Sequence, residues 1–509
     1  MKNYDVIIVG GGVTGTCIAR DCALRGLRTL LLEKEYLCNG ASGRNHGLLH
    51  SGARYAVGDP ESARECIREN AVLRRIASSC IEETGGLLVS LPEDGLDYQK
   101  VMLKACRKAG IDARAIDPKE ALKLAPTLNK SLLGAVKVPD ASIDPFRFAA
   151  ENALDAKRHG ARMLKMQEVV SFVKEGDRIV GVKTDKAEFR GGIVVLAAGI
   201  WNAPLSAKAG VHLEMVPSKG SLLIFGHRVS DLVLNRCRKA SNADIIVPNV
   251  DVSLLGTTSE SIPFEECDNP AVKPSEADEL LAEGCKMVPL LARTRIIRAY
   301  AGVRPLLAIG GEGRQASRTF ALVDHEVRDS LAGLVSISGG KLTTARLMAE
   351  KTTDLICSKL GVKASCKTAS LPLPGSEEKR RGGDLPYSRL AARSRHGEET
   401  FRMNFDRGGS EGICECEQVT RAEILYCIKE FGVKDLQELR RHCRLGMGTC
   451  QGSHCMRRAA EVLCEELGKP EKAEEMVREY LQERWKGMVP ILWGETLREA
   501  EFMRKKYLG

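Results

Sequence analysis

The sequence predicts an α/β protein with a large N-terminal body, built on a parallel sheet, and a small helical C-terminal unit. Alternating strand and helix patterns run from the start to about residue 365. A glycine-rich turn over residues 10–15 joins the first strand to the first helix. A stretch rich in Pro, Gly, Ser, Arg and Glu then precedes a compact segment with two close pairs of cysteines, which marks a second folding unit.

The bulk composition is that of a folded globular protein. A chain of 509 residues exceeds what one hydrophobic core usually supports, so two or three domains are expected. Its residues are 43% hydrophobic and 28% charged. The longest apolar runs, such as residues 193–200, are far shorter than the roughly 18 residues that indicate a bilayer span. With no leader pattern at the N-terminus, we expect a cytoplasmic protein.

The net charge and the distribution of the cysteines indicate the kind of ligand and a reducing environment. The net charge of +9 is spread along the chain, which favours acidic ligands or a membrane surface and gives no specific support to nucleic acid. Most of the 18 cysteines are scattered singly through predicted helices, which is typical of reduced thiols.

The predicted organisation follows these composition shifts. The body is expected over residues 1–365, with dinucleotide-binding segments at about 1–75, 150–210 and 300–360 and an interleaved substrate domain at about 76–149 and 211–299. A linker over 366–412, a cysteine-bearing domain over 413–467 and a helical tail over 468–509 complete the chain. Trp485 and Trp493 in that tail are candidates for a docking surface, with simple packing of the tail as the alternative.

The N-terminal motif predicts a Rossmann-like dinucleotide site. The predicted strand Tyr4–Val9 leads into Gly10, which permits a tight turn, Gly12, which lets a pyrophosphate approach the backbone, and Gly15, which lets helix pack on strand. The helix N-terminus then faces the phosphates. Glu33 ends the next strand, where its carboxylate can accept hydrogen bonds from ribose hydroxyls.

Three later segments indicate which dinucleotide is bound. Residues 39–52, 193–201 and 334–344 resemble the glutathione-reductase and amine-oxidase type of FAD protein, in which the late glycine pair lies against the flavin. This resemblance favours FAD over a nicotinamide cofactor. It implies further cofactor contacts from Ser42, Gly43, His46, Gly47, Ala198, Gly199, Gly339, Gly340, Leu342 and Thr343.

Several longer strings narrow the resemblance. Residues 44–55, 218–221, 301–306, 317–318 and 339–343 resemble FAD-dependent glycerol-3-phosphate dehydrogenases, and the C-terminal cysteines resemble the anaerobic branch of that family. The resemblance implies catalytic roles for His50, Arg54, Arg304 and Lys341, and substrate contacts from Arg54, Tyr55, Lys219, Arg304, Arg318 and Lys341. Leu222 stands where membrane-bound aerobic relatives have histidine, so no role placed on that histidine is transferred.

These residue types suit the implied chemistry. A phosphomonoester carries close to two negative charges, and arginine forks bind its oxygens in pairs. Oxidation of a secondary alcohol needs a base for the hydroxyl proton while hydride moves to the flavin, and histidine suits that role. His50 is either this base or a flavin-positioning residue, and His46 is its nearby rival.

The cysteine-bearing domain predicts a metal site. Cys414 and Cys416 form one close pair, and Cys450 and Cys455 form the other. Soft thiolates suit an iron–sulfur cluster or zinc. The spacing resembles the small [2Fe–2S] domain of bacterioferritin-associated ferredoxins, with structural zinc or free thiols as alternatives.

Taken with the resemblance, the sequence predicts an FAD enzyme that oxidises sn-glycerol 3-phosphate to dihydroxyacetone phosphate in anaerobic respiration. The resemblance implies that electrons leave through the cluster to further subunits, one of which anchors the complex at the cytoplasmic face of the membrane, and then to the quinone pool. Two alternatives remain open. One is an amino- or imino-acid dehydrogenase of the same superfamily, and the other is a non-catalytic flavoprotein electron carrier.

Overall fold

The structure, a computed structural model, describes residues 3–308, 319–377, 387–406 and 408–508. Strands in these ranges are β1 Tyr4–Val9, β2 Thr29–Leu32, β3 Leu48–Leu49, β4 Ile81–Glu82, β5 Gly86–Ser90, β6 Arg114–Ile116, β7 Gly134–Val138, β8 Ala141–Ile143, β9 Arg162–Leu164, β10 Val169–Glu175, β11 Arg178–Thr184, β12 Glu188–Leu196, β13 Met215–Phe225, β14 Val233–Arg236, β15 Ile245–Asn249, β16 Val252–Gly256, β17 Glu260–Ser261, β18 Ile296–Leu307, β19 Phe320–Asp324, β20 Leu334–Gly339, β21 Gly412–Cys414 and β22 Val419–Thr420.

Helices in the same ranges connect and cover these strands. They are α1 Val13–Leu24, α2 Pro60–Ile76, α3 Asp97–Ala109, α4 Pro118–Leu124, α5 Pro145–Arg158, α6 Asn202–Ala209, α7 Pro274–Met287, α8 His325–Asp329, α9 Ala345–Leu360, α10 Tyr387–His396, α11 Arg421–Phe431, α12 Leu436–Cys443, α13 Met456–Glu466, α14 Ala473–Lys486 and α15 Gly494–Leu508. Within the described ranges, no helix combines the length and the apolar character needed to cross a membrane.

The first sheet carries the N-terminal motif. In it β1 pairs in parallel with β2 and β12, β2 with β9, and β12 with β20, while β10, β11 and β19 add antiparallel edges. Val6 and Ile8 of β1 face the core formed with α1 and α9, and Ile7 and Val9 face the core formed with β10 and β11. Because both faces are covered, β1 is apolar throughout instead of alternating.

The second sheet lies beside the first and closes the site. Its nine strands include β5, β6 and β7 from one stretch of chain and β13 to β18 from another. Strand β18 pairs antiparallel with β13 along most of its length. Residues 300–307, which the sequence analysis assigned to the dinucleotide segments, therefore belong to the second sheet.

The C-terminal unit is helical, as predicted. The short hairpin β21–β22 and helices α11 to α13 surround a core that also takes Tyr480 and Met503 from the tail. The tail residues Met488 and Ile491 pack instead into the core of the second sheet. The tail therefore joins the cysteine unit to the body, and the α/β fold with a small helical C-terminal unit is confirmed.

Candidate cofactor and substrate site

An elongated cavity of about 510 Å³ lies between the ends of the first sheet's central strands and strands β13 and β18. Most of the predicted site residues line it. They are Gly10, Gly12, Glu33, Ser42, His46, His50, Tyr55, Ala198, Gly199, Arg304, Gly339, Gly340, Lys341 and Leu342. The four chain segments that the sequence analysis singled out therefore meet at one space.

The glycine turn forms one end of this cavity. Gly10 has φ +113°, and a Cβ there would lie 2.6 Å from the carbonyl oxygen of Ala197. A Cβ on Gly15 would lie 1.9 Å from the carbonyl oxygen of Gly10, so α1 packs against the turn itself. The Ser42 hydroxyl accepts a hydrogen bond from Val13 N–H at 3.0 Å, which holds the loop across the start of α1. The turn thus places the start of α1 in the cavity wall, where the motif predicts that phosphates bind.

Glu33 lies in the wall next to this turn. Its carboxylate accepts hydrogen bonds from Gly11 N–H at 2.6 Å and Glu35 N–H at 2.9 Å. Burial raises the pKa of this carboxyl, although the two backbone bonds oppose that effect. Hydroxyl donors of a bound ribose would satisfy its remaining lone pairs, so the residues present fit a dinucleotide at this end.

The other end of the cavity gathers His50, Tyr55 and Lys341. Nε2 of His50 lies 3.4 Å from the Tyr55 hydroxyl. Nζ of Lys341 lies 5.0 Å from the centre of the Tyr55 ring. The backbone N–H of His50 donates to the hydroxyl of Thr343 at 3.2 Å, so the start of the helix after the late glycine pair positions this histidine. Thr343, predicted as a cofactor contact, is buried behind the cavity wall.

His46 is held in its neutral form. Burial, together with the charges of Arg54 and Arg304, lowers the pKa of His46 to about 3. Its Nδ1 accepts from Leu48 N–H at 3.3 Å, so the proton of the neutral ring is on Nε2. A neutral imidazole in this tautomer is a hydrogen-bond donor toward the cavity and a poor base, which favours His50 over His46 as the proton acceptor.

Arg304 projects from β18 and lies across Gly220. A Cβ at Gly220 would be 2.3 Å from Nη2 of Arg304, so only glycine leaves room for the guanidinium. Nη2 donates to Thr257 Oγ1 at 2.5 Å and to the carbonyl oxygen of Thr258 at 2.8 Å. Its position in the cavity wall is therefore fixed by the second sheet.

Lys219 was predicted to contact substrate, but it is buried away from the cavity. Its ammonium donates to Glu276 at 2.9 Å and to the carbonyl oxygen of Ala271 at 3.1 Å, and it pairs with Glu260 at 2.8 Å. Its side chain is 1% exposed. Since an ammonium has three donors and all three are used, the structure does not bring Lys219 to substrate. These carboxylates lie far along the chain, so its sequence context gave no sign of them.

Other predicted residues also lie outside the lining. Arg54 pairs with Asp244 at 2.7 Å, and its Nη1 is buried with no hydrogen-bond partner among the described residues. Gly43 and Gly47 line a neighbouring cavity. Arg318 falls outside the described residues, so its role stays a prediction.

Two residues that position the site were missed. The Asn202 side chain donates to the carbonyl oxygen of Ile337 at 2.8 Å and accepts from Ala198 N–H at 2.8 Å, which ties the ends of β12 and β20 together. A Cβ on Gly302 would lie 2.5 Å from the carbonyl oxygen of Arg44, so β18 passes directly against the loop after β2. A glycine within a strand was the available signal for the second contact.

The four cysteines of the C-terminal unit meet in two pairs that cross the sequence pairs. Cys414 lies beside Cys455, and Cys416 lies beside Cys450. The neighbouring Cys455 thiol lowers the pKa of Cys414 to about 6, and burial, with Cys416, raises the pKa of Cys450 to about 11. Over the described residues, no three His, Cys, Asp or Glu side chains are arranged as ligands of a single metal ion.

The fold and the cavity define the class of protein. The family model described as "FAD dependent oxidoreductase" matches residues 5–355, which span the whole glycine-lined cavity. The protein is therefore an FAD-dependent oxidoreductase, and the FAD prediction is confirmed.

Comparison with curated proteins narrows this class. The anaerobic glycerol-3-phosphate dehydrogenase A subunit of Escherichia coli is 50% identical over 524 residues, covering 100% of this chain and 97% of that protein. The protein of the same name in Haemophilus influenzae is 49% identical over 519 residues, covering 99% of this chain and 92% of its own length. The chain belongs to the family of anaerobic glycerol-3-phosphate dehydrogenase A subunits.

A solved structure supports the fold. The glycerol-3-phosphate dehydrogenase of Bacillus halodurans, complexed with FAD, superimposes with a TM-score of 0.72 at 22% identity and covers 97% of each chain. The shared architecture therefore extends beyond the oxidoreductase body.

Replacing Glu33 tests the dinucleotide end of the site. Glu33→Gln removes the charge that the ribose hydroxyls would meet, and a hydrogen bond to a charged group contributes about 1.5 to 3 kcal/mol. We expect FAD to bind the apoprotein about 10- to 150-fold more weakly, measured by fluorescence titration. Glu175→Gln, which removes an exposed carboxylate of β10 outside the cavity lining, is the control, and an unchanged FAD affinity in Glu33→Gln would contradict this role.

Proposed function

We propose that this protein oxidises sn-glycerol 3-phosphate to dihydroxyacetone phosphate with FAD as the immediate electron acceptor. The observation that carries the proposal is a single cavity in which the FAD-type glycine turn meets His50, Tyr55, Arg304 and Lys341. The full-length similarity to proteins named as A subunits of anaerobic glycerol-3-phosphate dehydrogenase supports the same function.

The charges of the cavity suit a phosphomonoester. Arg304 and Lys341 line it, and the charge of Arg54 reaches His46 in its wall. The unpartnered Nη1 of Arg54 is a donor that substrate could satisfy after a small side-chain movement. An amino-acid substrate, the first alternative, needs only one cationic side chain to bind its carboxylate. A phosphate dianion can be bound by several cationic side chains at once, as this cavity provides.

The chemical step divides between the cofactor and the chain. Bound FAD would supply the two-electron acceptor for hydride leaving the secondary carbon. His50 takes the proton from the substrate hydroxyl as the carbonyl forms, while neutral His46 donates a hydrogen bond from Nε2. Tyr55, next to His50, orients that ring. A non-catalytic electron carrier, the second alternative, gives these side chains no role.

A [2Fe–2S] cluster at Cys414, Cys416, Cys450 and Cys455 is the second part of the proposal. Each iron of such a cluster takes two thiolates, and the two thiol pairs supply this donor set. A structural zinc, the alternative, needs four ligands around one point.

The electrons then leave the chain. The relatives are named as A subunits, and we propose that further subunits receive electrons from the cluster and pass them to the quinone pool at the cytoplasmic face of the membrane. Trp485 is 42% exposed and Trp493 43% exposed on the tail, with Phe502 60% exposed near them in sequence. These side chains are available to a docking partner, as the sequence analysis suggested.

Substrate class is tested by anaerobic bleaching of the flavin spectrum with a panel of polyol phosphates and amino acids. Glycerol 3-phosphate is expected to bleach the flavin at the lowest concentration. Bleaching by an amino acid alone would overturn the proposal in favour of the first alternative, and no bleaching by any compound would favour the electron carrier.

Arg304→Ala tests the phosphate contact. Loss of a charge-assisted bond costs about 2 to 3 kcal/mol, so the glycerol 3-phosphate concentration for half-maximal flavin reduction should rise about 30- to 150-fold. Arg457→Ala, whose side chain is 75% exposed on α13, is the control and should change nothing. FAD content measured in parallel separates a substrate defect from a damaged fold. Unchanged kinetics with Arg304→Ala would contradict the assignment.

His50→Ala tests the base. Stopped-flow flavin reduction at saturating substrate should slow by about 10²- to 10⁴-fold, with a smaller effect on substrate affinity. His46→Asn retains a donor and removes a ring that is already neutral above about pH 3, so its pH–rate profile should keep the shape of the wild type. A pure affinity defect in His50→Ala would make His50 a positioning residue.

Replacing one cysteine of each pair tests the electron route. In Cys414→Ser and Cys450→Ser variants, substrate should still bleach the flavin, while turnover with a quinone-linked acceptor in the assembled complex should collapse. Cys285→Ser, in α7 of the body, is the control. Full quinone-linked turnover in the Cys414 and Cys450 variants would show that these thiols have only a structural role.

A further inference from the structure

A second cavity, of about 340 Å³, lies between the dehydrogenase body and the cysteine unit. The loop that contains Asn45 and His46 separates it from the first cavity, because both residues line both spaces. Its other walls come from β18 of the body and from helices α12 and α14 of the C-terminal region. None of the chemistry proposed above uses this space.

The lining of this cavity is strongly cationic. Its charged side chains are Arg44, Arg298, Arg440, Arg441, Arg444, Lys486, Asp144 and Glu483. Asp144 lies 3.6 Å from Arg444, and Glu483 lies 2.9 Å from Lys486. Within the described part of the chain, the other four arginines make no ion pair. We call Arg44, Arg298, Arg440 and Arg441 the arginine cluster.

Members of the arginine cluster also have unused donors. Nη2 of Arg441 donates to Asn39 Oδ1 at 2.5 Å, and its guanidinium lies 4.8 Å from the Tyr36 ring centre, but its Nη1 is buried without a partner in the described residues. Nε of Arg440 is also buried without a hydrogen-bond partner in the described residues. The guanidinium of Arg298 makes no hydrogen bond within the described ranges.

The electrostatics show that these charges are uncompensated. Burial, followed by the charge of Arg440, lowers the pKa of Arg298 to about 9. Burial also lowers the pKa of Arg441, with Arg440 as the next cause. The nearest carboxylate influence on Arg298 is Glu483, which Lys486 already pairs.

Arg44 extends the same pattern. Burial lowers the pKa of its guanidinium, against the weaker influence of Glu35, Glu483 and Asp268. Its Nη1 donates to the carbonyl oxygen of Asp268 at 3.2 Å. Gathering like charges in a half-buried space costs free energy that an anion bound among them would offset.

We propose that the arginine cluster binds a small phosphate-bearing anion at the joint between the dehydrogenase body and the cysteine unit. The planar forks of several arginines can share the oxygens of one phosphate group, and the space holds a small molecule, not a protein segment. Arg44 and Arg298 belong to the body, whereas Arg440 and Arg441 belong to the cysteine unit. The bound anion therefore fastens the two parts together beside the flavin cavity.

The experiment uses the full chain loaded with FAD and cluster. Calorimetric titration in a phosphate-free buffer with inorganic phosphate and with AMP is expected to show one saturable site. Arg298→Gln and Arg441→Gln should each weaken that site at least tenfold, and Arg298→Lys should weaken it nearly as much because it keeps the charge but loses the fork. The control Arg478→Gln, whose side chain is 62% exposed on α14, should leave it unchanged.

Two further readouts separate the outcomes. Without phosphate, Arg298→Gln should unfold at the same or a higher temperature than the wild type, because it relieves repulsion, whereas a purely structural arginine would give a lower temperature.

Tighter binding of AMP than of inorganic phosphate would identify a nucleotide ligand, and equal binding would identify a free phosphate. Absence of saturable binding, or binding unaffected in Arg298→Gln, would overturn the proposal. Phosphate binding that competes with substrate bleaching would place the anion in the first cavity and also overturn it, while bleaching alone tests the substrate proposal.

Discussion

The contact between Gly15 and Gly10 is the constraint on which the site depends. Since a single methyl group on Gly15 would lie 1.9 Å from the Gly10 carbonyl oxygen, α1 can approach the end of β1 only because Gly15 lacks a side chain, and the missing side chain of Gly10 leaves room for the carbonyl oxygen of Ala197. That approach aims the start of α1 into the cavity. It also leaves the Gly11 N–H free to donate to Glu33, so the turn and the acidic strand end hold each other in place.

A second close approach brings the second sheet against the loop that follows β2. Strand β18 passes the loop after β2 where Gly302 leaves room for the backbone of Arg44, and Gly220 leaves room for the guanidinium of Arg304. The Gly302 contact sets how near the second sheet comes to the loop after β2, whereas Gly220 lies in the same sheet as Arg304 and limits only where the guanidinium can lie. Arg304 thus lines the same cavity as His50 and Lys341.

Local sequence patterns predicted the fold and much of the site. Side-chain partners that lie far apart in the sequence could not be predicted in this way. The glycine spacing and the apolar strand of the N-terminal motif are set by neighbouring residues, so they could be read directly from the sequence. Lys219 was misplaced because its partner Glu276 lies 57 residues further on and no local signal marks the pair. The choice between His46 and His50 depends on burial and on the charges of Arg54 and Arg304, and only the folded chain brings Arg304 near His46.

The joint between body and cysteine unit combines two kinds of contact. Polar bonds such as Tyr36 to Asp435 at 2.8 Å and Arg444 to Asn249 at 2.7 Å cross it, and such bonds contribute little net free energy each because water competes for them. The tail adds apolar burial through Ile491 in the core of the second sheet. The cysteine unit is thus anchored by its tail and oriented by polar groups. An anion among the arginines would act on that orientation, since it neutralises repulsion between charges that the two parts contribute.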